Sequence, residues 1–316
     1  MVSGSEVPSA GNERLPADLQ LRCPRCGIDI NGLACPACGF TIVISDGIGH
    51  ALLPESAAHF ARFMRDYERI RDAEQRGSEG SDFYLALPYR DTTGRTRSQW
   101  RIRARSYDYL VRHLLPRTGR GGILDLGAGN GWMSYRLALA GYQPCAVDLL
   151  TNERDGLGAA RHYRSRLPQL FPRFQAELDR LPFADGQFDA AVFNASFHYT
   201  EDAVTSLREA MRCVRRGGMV IISDTPWYAH EDSGQRMLAE RNASYLREYG
   251  TPADTIATLG YLTDERLRRM EDALSIRWGV YRPWYGLAWA TRPLMAKLRG
   301  RREPSRFRLH AARKGA

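Results

Sequence analysis

ILDLGAGNGWMSYRL, residues Ile123 to Leu137, passes from an apolar run through three alternating glycines into a segment of helical character. Gly127, Gly129 and Gly131 follow Asp125, an acid placed near the end of the run. A glycine-rich turn between a strand and a helix lets backbone approach a ligand closer than any side chain permits. In open α/β sheets nucleotide-containing ligands bind there, outside the carboxyl ends of the strands. The spacing is D-x-G-x-G-x-G, which differs from G-x-G-x-x-G, and no G-K-[ST] follows, so a P-loop is excluded. A second acid, Asp148, closes the run CAVD, where a carboxylate accepts two hydrogen bonds side by side, as the two hydroxyls of a ribose require.

Outward from this stretch, strand-like and helix-like segments alternate. The runs GILDLG, PCAVDLL, RFQAEL, FDAAVFN, MVIISD, LSIRWGVYRP and SRFRLHAAR read as seven strands. GWMSYRLALAG reads as a helix stopped by Gly141, and GLGAARHYRSRL as another. TEDAVTSLREAMRCVRRGG reads as a helix capped by Thr200 or Asp202 and stopped by Gly217. SGQRMLAERNASYLREYG reads as a long helix after an inserted loop. Such alternation implies a doubly wound, Rossmann-like α/β fold with a mostly parallel seven-stranded sheet. Upstream, Phe60, Phe63, Met64 and Tyr67 share one helical face, and Trp100, Ala104, Tyr107, Val111 and Leu114 another. The organisation expected is a disordered tail over 1–20, a zinc ribbon over 21–54 and a helical lid or linker over 55–118. The main domain then runs over 119–316, with an insertion at about 225–270.

Taken together, these motifs resemble the class I S-adenosylmethionine-dependent methyltransferases over roughly Gly121 to Asp224. Asp125, Gly127, Gly129 and Gly131 match that family's first motif, and Asp148 its ribose-binding acid. AELDRLPFADGQFDAAVFN matches the stretch written G-D-A-x-x-L-P-F-x-x-x-x-F-D, with Ala176 for its glycine and Glu177 for its aspartate. The resemblance implies that Glu177 accepts the adenine amine, that the backbone of Leu178 contacts the ring, and that Asn194 stands at the junction of cofactor and acceptor. An NAD-dependent dehydrogenase shares the fold logic and the ribose acid, but the glycine spacing and the L-P-F…F-D stretch speak against it. A binding protein or adaptor that keeps the fold without chemistry is opposed by the intact cofactor acids.

Four of six cysteines form two C-P-x-C-G units: Cys23 and Cys26, then Cys35 and Cys38, with eight residues between Cys26 and Cys35. Each tight turn converges two thiolates, and two such turns make a closed four-sulfur zinc site, structural because no position stays open for water. Two disulfides are the other reading, which a cytoplasmic chain disfavours. No three-cysteine iron–sulfur motif is present, so radical methyl transfer is excluded. Cys145 and Cys213 sit in strand-like and helical runs and read as structural thiols.

Methyl transfer is an in-line displacement on an already activated sulfonium, so such an enzyme mainly aligns the acceptor and excludes water. A base matters where the acceptor loses a proton. FNASFHYTED, after the fourth strand, offers His198 as the candidate base with Tyr199 beside it; packing is the alternative role for both. The NPPY-type motif of exocyclic-amine methylators is absent, since Ala195 and Ser196 follow Asn194. Lid segments are expected from the N-terminal helices with FYLALPY and from TPWYAHEDSGQRM. Trp278, Tyr281, Trp284, Tyr285 and Trp289 form a third aromatic group that could wall an apolar pocket, though core under the C-terminal segment is the reading favoured for most of them.

The chain has 316 residues, 43% of them hydrophobic, and a net charge of +9. No apolar run approaches the ~20 residues of a membrane helix, and no signal peptide is visible, so a cytoplasmic protein without a membrane partner is expected. From Arg292 to Ala316 nine basic residues meet one acid, Glu303, so nearly all the excess charge lies there. One reading is a phosphate-contacting tail; the other is a solvated, arginine-rich end. The ribbon followed by Gly47, Leu52, Leu53 and Pro54 resembles that of bacterial rRNA guanine methyltransferases, and also that of small zinc adaptor proteins. The acceptor expected is a small molecule, with RNA as the alternative.

Overall fold

The computed structural model describes residues 18–78, 80–115, 121–252 and 255–315; most of the expected tail lies outside them. The fold is built on a mixed sheet. Its centre is β5 (Gly122–Leu126), flanked in parallel by β6 (Gln143–Asp148) and β8 (Phe188–Asn194). Beyond β6 lies β7 (Arg173–Gln175), also parallel, and beyond β8 lies β9 (Val214–Ser223). The antiparallel β11 (Leu309–Arg313) and β10 (Gly279–Tyr281) complete the far edge. All seven strands read from the sequence are therefore in one sheet.

The sheet nonetheless has nine strands among the described residues, in the order β10-β11-β9-β8-β5-β6-β7-β4-β3. The extra pair, β3 (Val43–Ser45) and β4 (Ile48–His50), comes from the end of the cysteine-rich segment. β4 pairs in parallel with β7, Ile48 against Arg173 and His50 against Gln175. Gly49 permits this approach: a Cβ there would lie 2.8 Å from the Phe174 ring. The cysteine-rich segment also contains a small hairpin, β1 (Leu21–Arg22) with β2 (Asp29–Ile30). Its Leu21, Ile30 and Ile42 are buried in one cluster with Phe174 and Phe183 of the main domain. The segment is thus an edge of the sheet and shares its core.

The strand interiors are continuous apolar runs because both faces are covered. Successive residues of β5 feed opposite cores. Leu124 and Leu126 pack with α5 (Ala203–Cys213) and α7 (Asp264–Leu274). Ile123 packs with α3 (Arg97–Tyr109) and α4 (Trp132–Leu139). Asp202 caps α5, accepting from the backbone of Val204 and Thr205. Gly217 does not stop that helix, which ends at Cys213; it lies inside β9 at φ +75°. The helix read over GLGAARHYRSRL is a 3₁₀ segment, Leu157–Tyr163. A Cβ on Gly156 or Gly158 would meet backbone at 2.7 Å, so the chain is held too close to residues 150–152 for a regular helix to form.

Over the carboxyl ends of the strands lie α1 (Pro54–Ala73), the short α2 (Ser81–Ala86), which FYLALPY helps to form, and α3. α6 (Glu231–Tyr249) follows β9 across the same end. No helix of the described residues is long and apolar enough to cross a membrane.

Candidate active site and metal centre

The glycine turn folds back under the end of β6. Gly127 and Ala128 donate their amides to Val147 O at 2.8 and 3.0 Å. All three glycines have positive φ, and Gly131 is the left-handed cap of α4. Their neighbours differ. A Cβ on Gly127 would lie 2.3 Å from Ser196 Cβ, whereas beside Gly129 only Asp155 O comes near, at 3.4 Å. Gly127 is therefore needed for packing, and Gly129 leaves backbone open to a cleft.

Asp148 closes β6 on that cleft. Its Oδ2 accepts from Gly129 N and its Oδ1 from Leu150 N, both at 2.8 Å. The carboxylate is oriented by the loop it faces, and each oxygen keeps a second acceptor site. Burial pushes its pKa up to about 6 against the pull of those amides. Asp125 sits behind the turn, fully buried. Ser134 donates to its Oδ2 at 2.7 Å, Oδ1 has no partner, and burial raises its pKa to about 7.

Glu177 follows β7 and borders the same cleft, with Leu178, Asn194 and Tyr199. Ser56, in the first turn of α1, donates to Glu177 Oε1 at 2.6 Å. This contact traces back to the added strand: Ala51 N bonds Gln175 O at 2.9 Å, and His50 Nδ1 meets Gln175 Oε1 at 2.8 Å. The cysteine-rich edge thereby sets where α1 begins, and α1 roofs the cleft with Phe60, Phe63 and Tyr67. The cleft holds about 1440 Å³, its mouth included.

His198 is not in that cleft. It lies in a one-turn 3₁₀ segment, Phe197–Tyr199, and lines an adjoining open chamber of about 1080 Å³, its mouth included, with Asp224, Arg103 and Arg241. Its Nδ1 is buried without a partner. Burial first, then the cations Arg241, Arg103 and Arg71, depress its pKa to about 3, so the ring is neutral at any working pH. Tyr199 lies between the two spaces and borders both, its ring 5.7 Å from that of Tyr67.

Sequence reasoning named Asp224 only as a strand end. The structure buries it in the adjoining chamber, with Ser106 donating to Oδ1 at 2.5 Å and Oδ2 without a partner. Burial raises its pKa. Asp224 and Ala195, at the ends of adjacent parallel strands, both have left-handed φ, +52° and +56°. Such backbone costs of order 1–3 kcal/mol and gathers at functional sites. An acid closing a buried strand was the available signal. Arg103 and Ser56 gave none, since only the folding of the lid brings them to the site.

At the other end of the edge, the Sγ atoms of Cys23, Cys26, Cys35 and Cys38 all lie within 4.8 Å of one another. Cys23 and Cys38 are 3.5 Å apart, Cys26 and Cys35 3.4 Å. Zinc–sulfur bonds of about 2.3 Å place tetrahedral ligands about 3.8 Å apart. The cluster fits zinc, and sulfurs at these separations are not disulfide-bonded.

The sequence profile of the family described as "Methyltransferase domain" matches residues 124–222. Residues 124–222 are thus similar to a methyltransferase domain. The matched span runs from β5 to β9 and so holds the glycine turn, Asp148, Glu177 and Asn194. Demethylmenaquinone methyltransferase of Beutenbergia cavernae is 34% identical over 113 residues, 34% of this chain and 44% of that protein. Malonyl-[acyl-carrier protein] O-methyltransferase of Pseudescherichia vulneris is 26% identical over 43% of this chain and 58% of its own length. The chain thus spans about half the length of these relatives. Among solved structures, geranyl diphosphate C-methyltransferase from Streptomyces coelicolor A3(2), in complex with Mg2+, geranyl-S-thiolodiphosphate and S-adenosyl-L-homocysteine, superposes with a TM-score of 0.51. The superposition covers 68% of this chain and 77% of that one at 16% identity, a likeness of fold.

Proposed function

We propose that this chain is an S-adenosylmethionine-dependent methyltransferase acting on a small molecule. One observation carries the reading: two carboxylates, Asp148 and Glu177, follow adjacent parallel strands and border one cleft with the open backbone of Gly129. Asp148 would accept both ribose hydroxyls, and Glu177 the adenine amine beside Leu178. The bound cofactor supplies an activated methyl group. The protein's own part is to align the acceptor and exclude water, which α1 and α3 do by roofing the cleft. Asn194 borders the cleft beside Ala195, which lines both spaces, and the acceptor occupies the chamber. Tyr199 packs at the junction. His198, neutral and weakly basic, contacts the acceptor, and Asp224 is the better-placed proton acceptor where one is needed.

Zinc at Cys23, Cys26, Cys35 and Cys38 is structural and holds the sheet edge that carries α1. The small-molecule class is supported by the chamber beside the cleft and by the relatives, one of which is a demethylmenaquinone methyltransferase. RNA is less favoured, because three of the tail arginines are engaged internally. Arg302 pairs with Glu240 at 2.5 Å, Arg306 with Glu303 at 3.2 Å, and Arg308 is buried 3.3 Å from the Trp227 ring centroid. Calorimetric titration with S-adenosylhomocysteine and with NAD tests the cofactor. Micromolar binding of the first and none of the second is expected; the reverse would return the chain to the dehydrogenase reading.

A further inference from the structure

The C-terminal charge that the sequence left between two readings has a third setting in the fold. Residues 282–302 contain six cations and no acid. They include two short helices, α8 (Leu287–Ala290) and α9 (Arg292–Leu298), neither of which buries a residue. Large apolar side chains here face water: Trp284 is 64% exposed, Leu287 75%, Leu294 59%, Met295 40% and Leu298 72%. The other exposed large apolar residues are scattered over the chain; these five fall within fifteen positions. Lys297, Arg299 and Arg301 stand exposed beside them, with no side-chain ion pair or hydrogen bond among the described residues. The segment is not loose from the body. Arg105 bonds Trp284 O at 3.2 Å, and Tyr285 is buried with its hydroxyl 2.8 Å from Ser106.

We propose that α8 and α9 dock this protein on the surface of an anionic lipid bilayer. Exposed leucines close in sequence, a tryptophan and cations without acids are the composition of a helix lying in the headgroup plane. The apolar side chains enter the acyl boundary while the cations meet lipid phosphates. The charge also selects among occupants. A second copy of the chain would bring the same unpaired cations face to face, which opposes a two-fold interface. RNA would use the cations and leave the leucines in water. The expectation of no membrane partner rested on the lack of a spanning segment, which a surface helix does not need.

The test is co-sedimentation of the full chain with vesicles of phosphatidylcholine alone and of phosphatidylcholine mixed with phosphatidylglycerol. Binding to the mixed vesicles at least about tenfold tighter, and weakening with salt, is expected. Leu287→Ser, Leu294→Ser and Leu298→Ser together should remove binding to both. Lys297→Gln, Arg299→Gln and Arg301→Gln together should remove the preference for the anionic vesicle. All six positions are exposed, and thermal melts verify that the variants fold. A folded wild-type chain that sediments with neither vesicle overturns the proposal. So does ultracentrifugation in which the serine variant turns a dimer into a monomer, which would assign the face to a second copy.

Discussion

Asp125 and Asp148 are acids held in places that favour their protonated forms, and the direction of that bias sets a pH dependence. Burial raises them from 3.8 to about 7 and about 6. A group whose folded pKa is raised adds stability that is fully present below its unfolded pKa and lost as pH rises through its folded pKa. The two acids therefore contribute stability that falls from about pH 4 to about pH 8, set against the gain up to about pH 6.5 from the buried, neutral His198 and His310, so their share is read by substitution. Asp125→Asn should remove part of that fall; a pH profile of the melting point that is blind to the substitution would contradict the account. Asp148→Ala should lose two charge-assisted hydrogen bonds of about 1.5–3 kcal/mol each before water takes their place, the net weakening of S-adenosylhomocysteine being roughly ten- to a hundredfold in calorimetry. At His198 the pKa of about 3 leaves little driving force for taking a proton. His198→Gln should keep kcat within about tenfold, with no inflection near pH 6.5 in either protein, whereas Asp224→Asn should cost more.

The elements show what a sequence makes visible. β5, β6, β8 and β9 are legible because a doubly covered strand must be a continuous apolar run, and the acids Asp125 and Asp148 interrupt those runs. The three-residue β3 and β4 have no such signature: Val43 is exposed, and β4 is defined by its pairing with β7. Gly156 and Gly158 broke the expected helix for a reason only their distance to residues 150–152 reveals. The joined edge changes what metal loss should do. A detached ribbon would unfold alone and spare the main domain. Here Ile42 packs in the core with Phe174, and Ala51 bonds Gln175 just ahead of Ser56 and Glu177. Cys35→Ser, or zinc removal by a chelator, is therefore expected to lower the melting temperature of the whole domain and to weaken S-adenosylhomocysteine severalfold. An unchanged affinity after proven zinc loss would show that the edge does not position α1.

Across the whole molecule the open question is which acceptor reaches the chamber, and the basic tail is where small molecule and RNA part company. Neutralising Arg301, Arg302, Arg306 and Arg308 together confounds charge with folding, because Arg308 is buried against Trp227 and Arg302 ties the tail to Glu240 of α6. The clean variant changes Lys297, Arg299 and Arg301 to glutamine, all exposed and without ion pairs among the described residues. An RNA enzyme using these cations would lose affinity steeply with salt, with a log–log slope near the number of phosphates contacted, and the variant would lower that slope. A small acceptor in the chamber beside the cleft would not register the change. In a detergent-solubilised cell extract, where membrane docking no longer limits access, methyl label from S-adenosylmethionine is expected in the low-mass fraction. The triple glutamine variant should leave its amount unchanged and Asp148→Ala should abolish it. Label recovered in RNA, and lost with the three cations, would overturn the small-molecule reading while leaving the cofactor site intact. No label in either fraction, from protein that fails to bind S-adenosylhomocysteine, would remove the methyltransferase reading itself.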